Sequence, residues 1–431
     1  MKASILNGAV ALRDLADSVD AALAPRLAAR RYEVTRHDLA ALDVPQCNGD
    51  FGCWTVTPGV CVQPGPHREV ARDLIRSDLT IWLTPVTYGG YSSALKRQLD
   101  HSIPLVSPWF TKIDGETHHV PRYERFPSVL AIGLLERADP AQEAVFERLV
   151  RRNVLNVHAP RFGSACVTRE ELPRLASLVE RWLEDLAASE RPRAAMAPLE
   201  LAARPDLPEA PPRRALLLAG SPRGRSSVSA SIAAHLGARL EERGLTVVTE
   251  DLPACLREDR DLRRLGAAFE EADVVGLATP LYVDSLPGVV TEALELLGRR
   301  RAASGAPRAR FLALVNSGFP EAVHNDTALA ICRQFAADAS LDWIGGLAIG
   351  GGGMFAGKPL AEHGGRARSL LQSLTLTADA IARGVAVPGE AQRLARTLPI
   401  PPWLYRLVAD WGFRHEGKKR GNLSRMNERP Y

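Results

Sequence analysis

Almost at the midpoint of the chain, Ala215-Leu-Leu-Leu-Ala-Gly-Ser-Pro-Arg-Gly-Arg-Ser-Ser-Val-Ser-Ala230 runs from an apolar stretch through a glycine into hydroxyl and guanidinium side chains, and a periodic segment over 232–240 follows directly. That order reads as strand, turn and helix. A backbone without Cβ at Gly220, several hydroxyls and the free N–H groups of a helix start together suit a phosphate group. The same residues also fit an ordinary strand-to-helix turn capped by Ser226 or Ser227.

The surrounding pattern restricts the fold further. In the first half, apolar runs over 3–6, 32–39, 79–84, 129–134 and 164–167 alternate with helical periodicity over 12–27, 69–76, 94–101, 140–153 and 169–186. From residue 215 the order recurs, with strands over 215–219, 246–250, 274–278, 311–315 and 344–349 and helices ending near 243, 271, 299, 337 and 381. Strands alternating with helices predict a parallel sheet covered on both faces, and five strands in that layout predict a doubly wound sheet with ligands at the carboxyl ends of its strands. After the third strand the halves read Thr84-Pro-Val-Thr-Tyr-Gly-Gly-Tyr and Thr279-Pro-Leu-Tyr-Val-Asp-Ser-Leu, which points to two copies of one fold.

The predicted organisation is a first domain over 1–188, a Pro/Ala/Arg linker over 189–214, a second domain over 215–387 and a tail over 388–431. The tail's Trp403, Tyr405, Trp411 and Phe413 are expected to anchor it onto the domains. A net charge of +4 spread over 431 residues argues against nucleic acid or an anionic membrane as partner. No apolar run approaches spanning length and the N-terminus lacks a signal-peptide pattern, so the expected location is cytoplasmic.

Gly220-Ser-Pro-Arg-Gly-Arg-Ser-Ser227 resembles the phosphate loop of the flavodoxin-like NAD(P)H-dependent FMN reductases and quinone reductases, and residues 85–100 are similar to their second flavin loop. The resemblance implies an α/β chain of two tandem flavodoxin-like sheets, strand order 2-1-3-4-5 in each. It implies FMN as cofactor, NAD(P)H as co-substrate and a small acceptor such as a quinone or flavin. Ser221, Arg223, Ser226, Ser227 and Ser229 would hold the phosphate. Pro280, Leu281, Tyr282, Val283 and Asp284 would border the ring, and Asn316, Ser317, Gly318 and Phe319 would form a third loop. In the first domain Pro85, Val86, Thr87, Tyr88, Gly89 and Gly90 match the second loop. Family members are commonly dimers, so the tandem chain is expected to act as an intrachain pseudo-dimer, with further homo-oligomerisation left open.

The first domain departs from this pattern. Its turn, Asn7-Gly-Ala-Val-Ala-Leu-Arg-Asp14, lacks the Ser-x-Arg element and sets Asp14 where a phosphate would lie. Either main-chain groups and Arg13 hold FMN there, or this copy lacks the cofactor.

Two polar concentrations remain. Cys47, Cys53 and Cys61 lie in an irregular insert that resembles the cysteine-bearing insert of some flavodoxin-family members. It admits an iron–sulfur centre, a redox-active or substrate-facing thiol, or inert packing cysteines; a cluster would want a fourth thiolate, and Asp50 stands where related inserts often carry one. Glu116, His118 and His119 could face a metal, but neighbours on an extended segment point opposite ways, so a structural loop with locally bonded histidines is the expectation. His324, after the third loop, is read the same way.

Overall fold

The computed structural model describes residues 1–194, 196–197, 199, 201–203, 207 and 210–431; part of the linker expected over 189–214 lies outside them. The chain divides into two units, Met1–Ala197 with Leu407–Tyr431, and Pro198–Arg406.

In the first unit the β-branched and aliphatic runs form β1 (Lys2–Asn7), β2 (Glu33–Asp38), β3 (Leu79–Thr87), β7 (Ser128–Leu134) and β8 (Phe162–Val167), all parallel in the order β2-β1-β3-β7-β8. Seven successive residues of β3 are buried, the pattern of a strand covered on both faces. On one face the helices Arg13–Ala29 and Leu175–Ala188 set Leu15, Val19, Leu23, Val179 and Leu183 against Ile5, Ile81 and Ile132. Each such side chain contributes roughly 2 kcal/mol by burial.

Two departures from simple alternation occur. β3 turns back on itself through β4 (Gly90–Tyr91), which pairs antiparallel with its end. An antiparallel hairpin of β5 (Val106–Ile113) and β6 (Glu116–Pro121) stands between the helix Ser93–Asp100 and β7. The histidine-bearing segment expected as a loop is therefore strand β6, because Asp114 and Gly115 take the left-handed backbone that a tight hairpin turn needs.

The second unit is simpler. β9 (Arg214–Ala219), β10 (Thr246–Asp251), β11 (Val274–Pro280), β12 (Ala309–Asn316) and β13 (Leu341–Ile349) form one parallel sheet in the order β10-β9-β11-β12-β13. Both sheets thus have the expected 2-1-3-4-5 order. The order reverses between β1 and β3 and between β9 and β11, which opens a crevice at the strands' carboxyl ends.

The tail divides between the units. Helix Gly389–Ala395 buries Ala391 and Ala395 in the second core. In the first unit Arg122 donates to the carbonyls of Met426 and Glu428, and Phe413 packs edge-on against Phe51 and Trp54. Of the tail aromatics Tyr405 is buried, whereas Trp403 and Trp411 are 57% and 67% exposed. Among the described residues no helix is long and apolar enough to cross a membrane.

Candidate flavin site

At the end of β9 the backbone N–H of Gly220 donates to Ala278 of β11, so the two strands remain joined where the turn begins. A Cβ on Gly220 would stand 2.9 Å from Val290 Cγ2, so this close approach requires glycine. Ser221 is buried; its Oγ accepts from the Arg223 N–H at 3.3 Å and its carbonyl from the Gly224 N–H at 2.9 Å. Ser227 is the N-cap of the helix Val228–Glu241, its Oγ accepting from the Ala230 N–H at 3.1 Å. Ser226 instead donates to the Arg223 carbonyl.

Arg223, Arg225 and Ser226 are exposed, and no acidic residue occurs from 221 to 240. The helix N-terminus and two guanidinium groups therefore favour an anion there. One carboxylate, Asp251, approaches Gly224, but it is turned to the Ala254 N–H, which it caps at 3.3 Å.

The segment after β11 makes a second, tighter turn. Tyr282 and Ser285 exchange backbone hydrogen bonds of 2.9 and 3.0 Å around Val283 (φ 47°) and Asp284 (φ 53°). Two consecutive positive φ values are what a type I′ hairpin turn demands, usually of Asn and Gly. A β-branched valine there is strained, and strain of about 1–3 kcal/mol per residue persists only where the surroundings impose it. The first unit has the equivalent turn in Tyr88 (φ 55°) and Gly89 (φ 79°). Thr84 and Thr279 likewise donate to the carbonyls of the following prolines, at 3.0 and 3.2 Å.

The third segment closes the group. Asn316, at the end of β12, accepts from Ser229 Oγ at 2.7 Å, and its carbonyl accepts from the Leu281 N–H at 2.8 Å. Asn316 thereby joins the helix that follows the first turn to the second and third loops. The glycine run after β13 braces the third loop: Gly352 N–H donates to Ser317 and Gly351 N–H to Phe319, each at 2.7 Å. A Cβ on Gly350 would come 2.2 Å from the Pro320 carbonyl oxygen, so the run must be glycine there. Phe319 stacks on buried His324 at 4.4 Å, and the Tyr405 hydroxyl donates to the Gly318 carbonyl at 2.8 Å. Burial pushes Tyr405 up to about 12, so that donor stays protonated.

Ser221, Arg223, Ser226 and Ser227 thus lie in the turn after β9 and Ser229 in the helix that follows it, while Pro280 to Asp284 and Asn316 to Phe319 run from the ends of β11 and β12, and Asn316 bonds that helix to the segment after β11. Leu281, Tyr282, Val283 and Phe319 are half-buried and Gly318 is exposed, whereas Asp284 and Ser317 are buried. Sequence reasoning left out Asn325, which donates to Ser317 Oγ and the Ile349 carbonyl, and the bracing role of Gly350 to Gly352. The glycine run directly after a strand was the available signal for the latter; nothing marked Asn325.

The equivalent place in the first unit is arranged differently. The Gly8 carbonyl accepts from Ser92 Oγ at 2.7 Å, and the helix Arg13–Ala29 starts at Leu12 in left-handed geometry with no side-chain cap. Arg13 pairs with Asp38, and Asp14 with Arg169, which holds the Asp14 carboxyl below its usual range. Asp14 thus sets a carboxylate in the first turn of the helix, where the second unit has only serine as a polar side chain. Val86, Thr87 and Tyr88 are half-buried, and Pro85, Gly89 and Gly90 are buried. Gly89 lies against the helix Pro140–Asn156: its N–H donates to Gln142 Oε1 at 3.1 Å, and a Cβ would stand 2.6 Å from Val145 Cβ.

The remaining polar groups are in the same unit. All six cysteines are free. Burial pushes Cys47 up to about 12 and raises Cys53 and Cys61, so each is a protonated, weakly nucleophilic thiol. On β6, His118 meets Asn156 at 2.6 Å while His119 packs on Trp54 and Phe110, the opposite directions expected of strand neighbours. Glu116 pairs with Arg152.

The family model for NADPH-dependent FMN reductase matches residues 1–114 and 213–329, together more than half of the chain. No curated protein matches the sequence. Among solved structures, Smu.1420 from Streptococcus mutans UA159 is 11% identical with a TM-score of 0.33, covering 42% of this chain and 100% of that one. The azoreductase from Bacillus anthracis str. Sterne is 15% identical with a TM-score of 0.29, covering 40% of this chain and 99% of that one. The NAD(P)H:quinone oxidoreductase from Methanothermobacter marburgensis is 15% identical with a TM-score of 0.27, covering 33% and 88%. The family model's two segments each span one copy of the first three parallel strands, so the chain belongs to the NADPH-dependent FMN reductase family as a tandem, flavodoxin-like member and is an NAD(P)H-dependent flavin oxidoreductase.

Proposed function

We propose that the flavin is FMN, that the second unit binds it, and that the enzyme passes reducing equivalents from NAD(P)H to a small flat acceptor such as a quinone or a free flavin. The observation that carries this is the double engagement of Asn316, with Ser229 through its side chain and Leu281 through its carbonyl.

The hydroxyl protons divide the five phosphate-loop residues. Ser221 and Ser227 each accept a backbone N–H, which leaves the O–H to donate to a phosphate oxygen. Ser226 and Ser229 spend theirs on Arg223 and Asn316, so they shape the loop. Arg223 supplies charge at the open side. When bound, FMN supplies the hydride and electron chemistry, so the chain needs no catalytic triad. Leu281, Tyr282 and Val283 then offer an apolar edge to the ring, and half-buried Phe319 beside exposed Gly318 would meet a planar acceptor. The first unit's turn, with Asp14 at the helix start, is unsuited to a phosphate dianion.

The decisive measurement is FMN bound per chain, followed by NAD(P)H oxidation with a benzoquinone. One FMN per chain with quinone turnover is expected. Zero or two would overturn the asymmetric assignment, and iron or sulfide accompanying the flavin would replace it with a single-electron carrier.

A further inference from the structure

The cysteine insert ends on Cys61, the turn after it delivers His67 to the start of the helix His67–Arg76, and His101 closes the helix Ser93–Asp100. The three side chains come from separate elements and converge in the interior, 8%, 0% and 1% exposed. Cys61 Sγ lies 3.3 Å from His101 Nδ1, the two imidazole rings are 4.1 Å apart, and one donor atom from each residue falls within 4.8 Å of the other two. We propose that Cys61, His67 and His101 bind a borderline-soft divalent transition metal, with zinc the representative ion.

The spacing suits a tetrahedral ion. Bond lengths near 2.3 Å to sulfur and 2.0–2.1 Å to nitrogen put neighbouring ligand atoms roughly 3.4–3.6 Å apart, so the side chains need move only slightly to close on one. The tautomer is also set. His101 Nε2 is 2.8 Å from the Pro45 carbonyl, which can only accept, so Nε2 carries the proton and Nδ1 turns a bare lone pair toward Cys61. A carbonyl behind a histidine is the usual outer partner of a metal ligand.

His67 gives the independent indication. The side chain is fully buried, and apart from the backbone of Gln63, which approaches the ring without reaching good hydrogen-bond geometry, neither ring nitrogen has a partner. Such an imidazole is costly unless something occupies its lone pair. A Cβ at Gly65 would stand 2.9 Å from His67 Nδ1, so the chain keeps a glycine (φ 151°) to make room for the ring. Arg68 and Arg97 lie within electrostatic reach of the cluster, but each donates to a backbone carbonyl, of Val62 and Val44. Three cysteines with two histidines do not make the four-thiolate shell of an iron–sulfur centre, whereas one thiolate and two imidazoles are a mononuclear donor set.

Without metal the Cys61 thiol donates to His101 Nδ1. On binding, a metal–sulfur bond forms, the S–H bond breaks and the proton leaves to solvent, so one proton is released per ion.

The test uses the full chain, stripped with a chelator and titrated with cobalt(II) as a coloured substitute for zinc. One cobalt per chain with a thiolate-to-cobalt charge-transfer band is expected, and one equivalent of zinc should bleach it. Cys61→Ser should abolish the band, His67→Ala should weaken binding at least tenfold, and Cys255→Ser should change neither. A wild-type titration without the band overturns the proposal whatever the variants do, and so does a band that survives Cys61→Ser. The readout does not depend on flavin content.

Discussion

Ser229 Oγ donates to Asn316 Oδ1 at 2.7 Å, linking residues 87 apart in the chain. Both are buried, and the Asn316 carbonyl carries the link on to Leu281. Removing one partner therefore leaves the other unsatisfied in the interior. Asn316→Ala should cost about 1–3 kcal/mol of stability and lower flavin affinity at the same time. Thermal melting and flavin titration of the same variant check both; unchanged affinity would show that the three loops do not form one site.

Arg223→Ala should weaken FMN binding about tenfold, the lower end expected of a charge-assisted hydrogen bond from an exposed side chain. Arg13→Ala should leave it unchanged, because Arg13 is paired with Asp38. Fluorescence titration with FMN distinguishes them. Equal losses would contradict the assignment of FMN to the second unit.

Gly350→Ala presses a methyl group onto the Pro320 carbonyl, a backbone atom with little freedom to withdraw. A stability loss of about 1–3 kcal/mol is expected, together with displacement of the third loop. The control is Gly318→Ala, where nothing lies within 4 Å of the added carbon. A Gly350→Ala protein that melts with the wild type would remove the bracing role of the glycine run.

Val283→Gly relieves a positive φ that valine tolerates poorly, so the variant should gain about 0.5–1 kcal/mol in stability. It also removes a half-buried side chain from the proposed ring edge, and flavin affinity should fall severalfold. Opposite signs in melting temperature and affinity would mark this as strain kept for the site. A lower melting temperature would mean the turn is not strained.

His119, packed on Trp54 and Phe110, is pushed down to about 3 by burial, so it is neutral in the native state and takes up a proton readily only on unfolding. The unfolded state then binds more protons below its ordinary value near 6.5. Stability is fully present above that pH and is lost progressively as pH falls from about 6.5 toward 3. His119→Phe should remove this dependence, worth about 2 kcal/mol at pH 5. Melting curves of the two proteins that stay parallel from pH 7 to pH 5 would contradict it.

The sequence by itself determined the alternation of strand and helix and the duplication, because apolar periodicity and the Thr84-Pro and Thr279-Pro repeats are local signals that survive without contacts; the strand order followed only from the family resemblance. It also marked Gly220 to Ser227 as the candidate phosphate turn, since such a turn is a short contiguous piece of backbone. Only the tertiary structure decided which residues cooperate. Asn316 reads as an ordinary polar residue until folding sets it against Ser229, and Arg13 reads as a free cation until Asp38 meets it. The burial of Tyr405 beside the exposure of Trp403 and Trp411 has the same origin, since aromaticity does not state which side of a helix a core will cover. Cys61, His67 and His101 are 40 residues apart end to end, and their convergence depends on long-range packing that no spacing rule encodes.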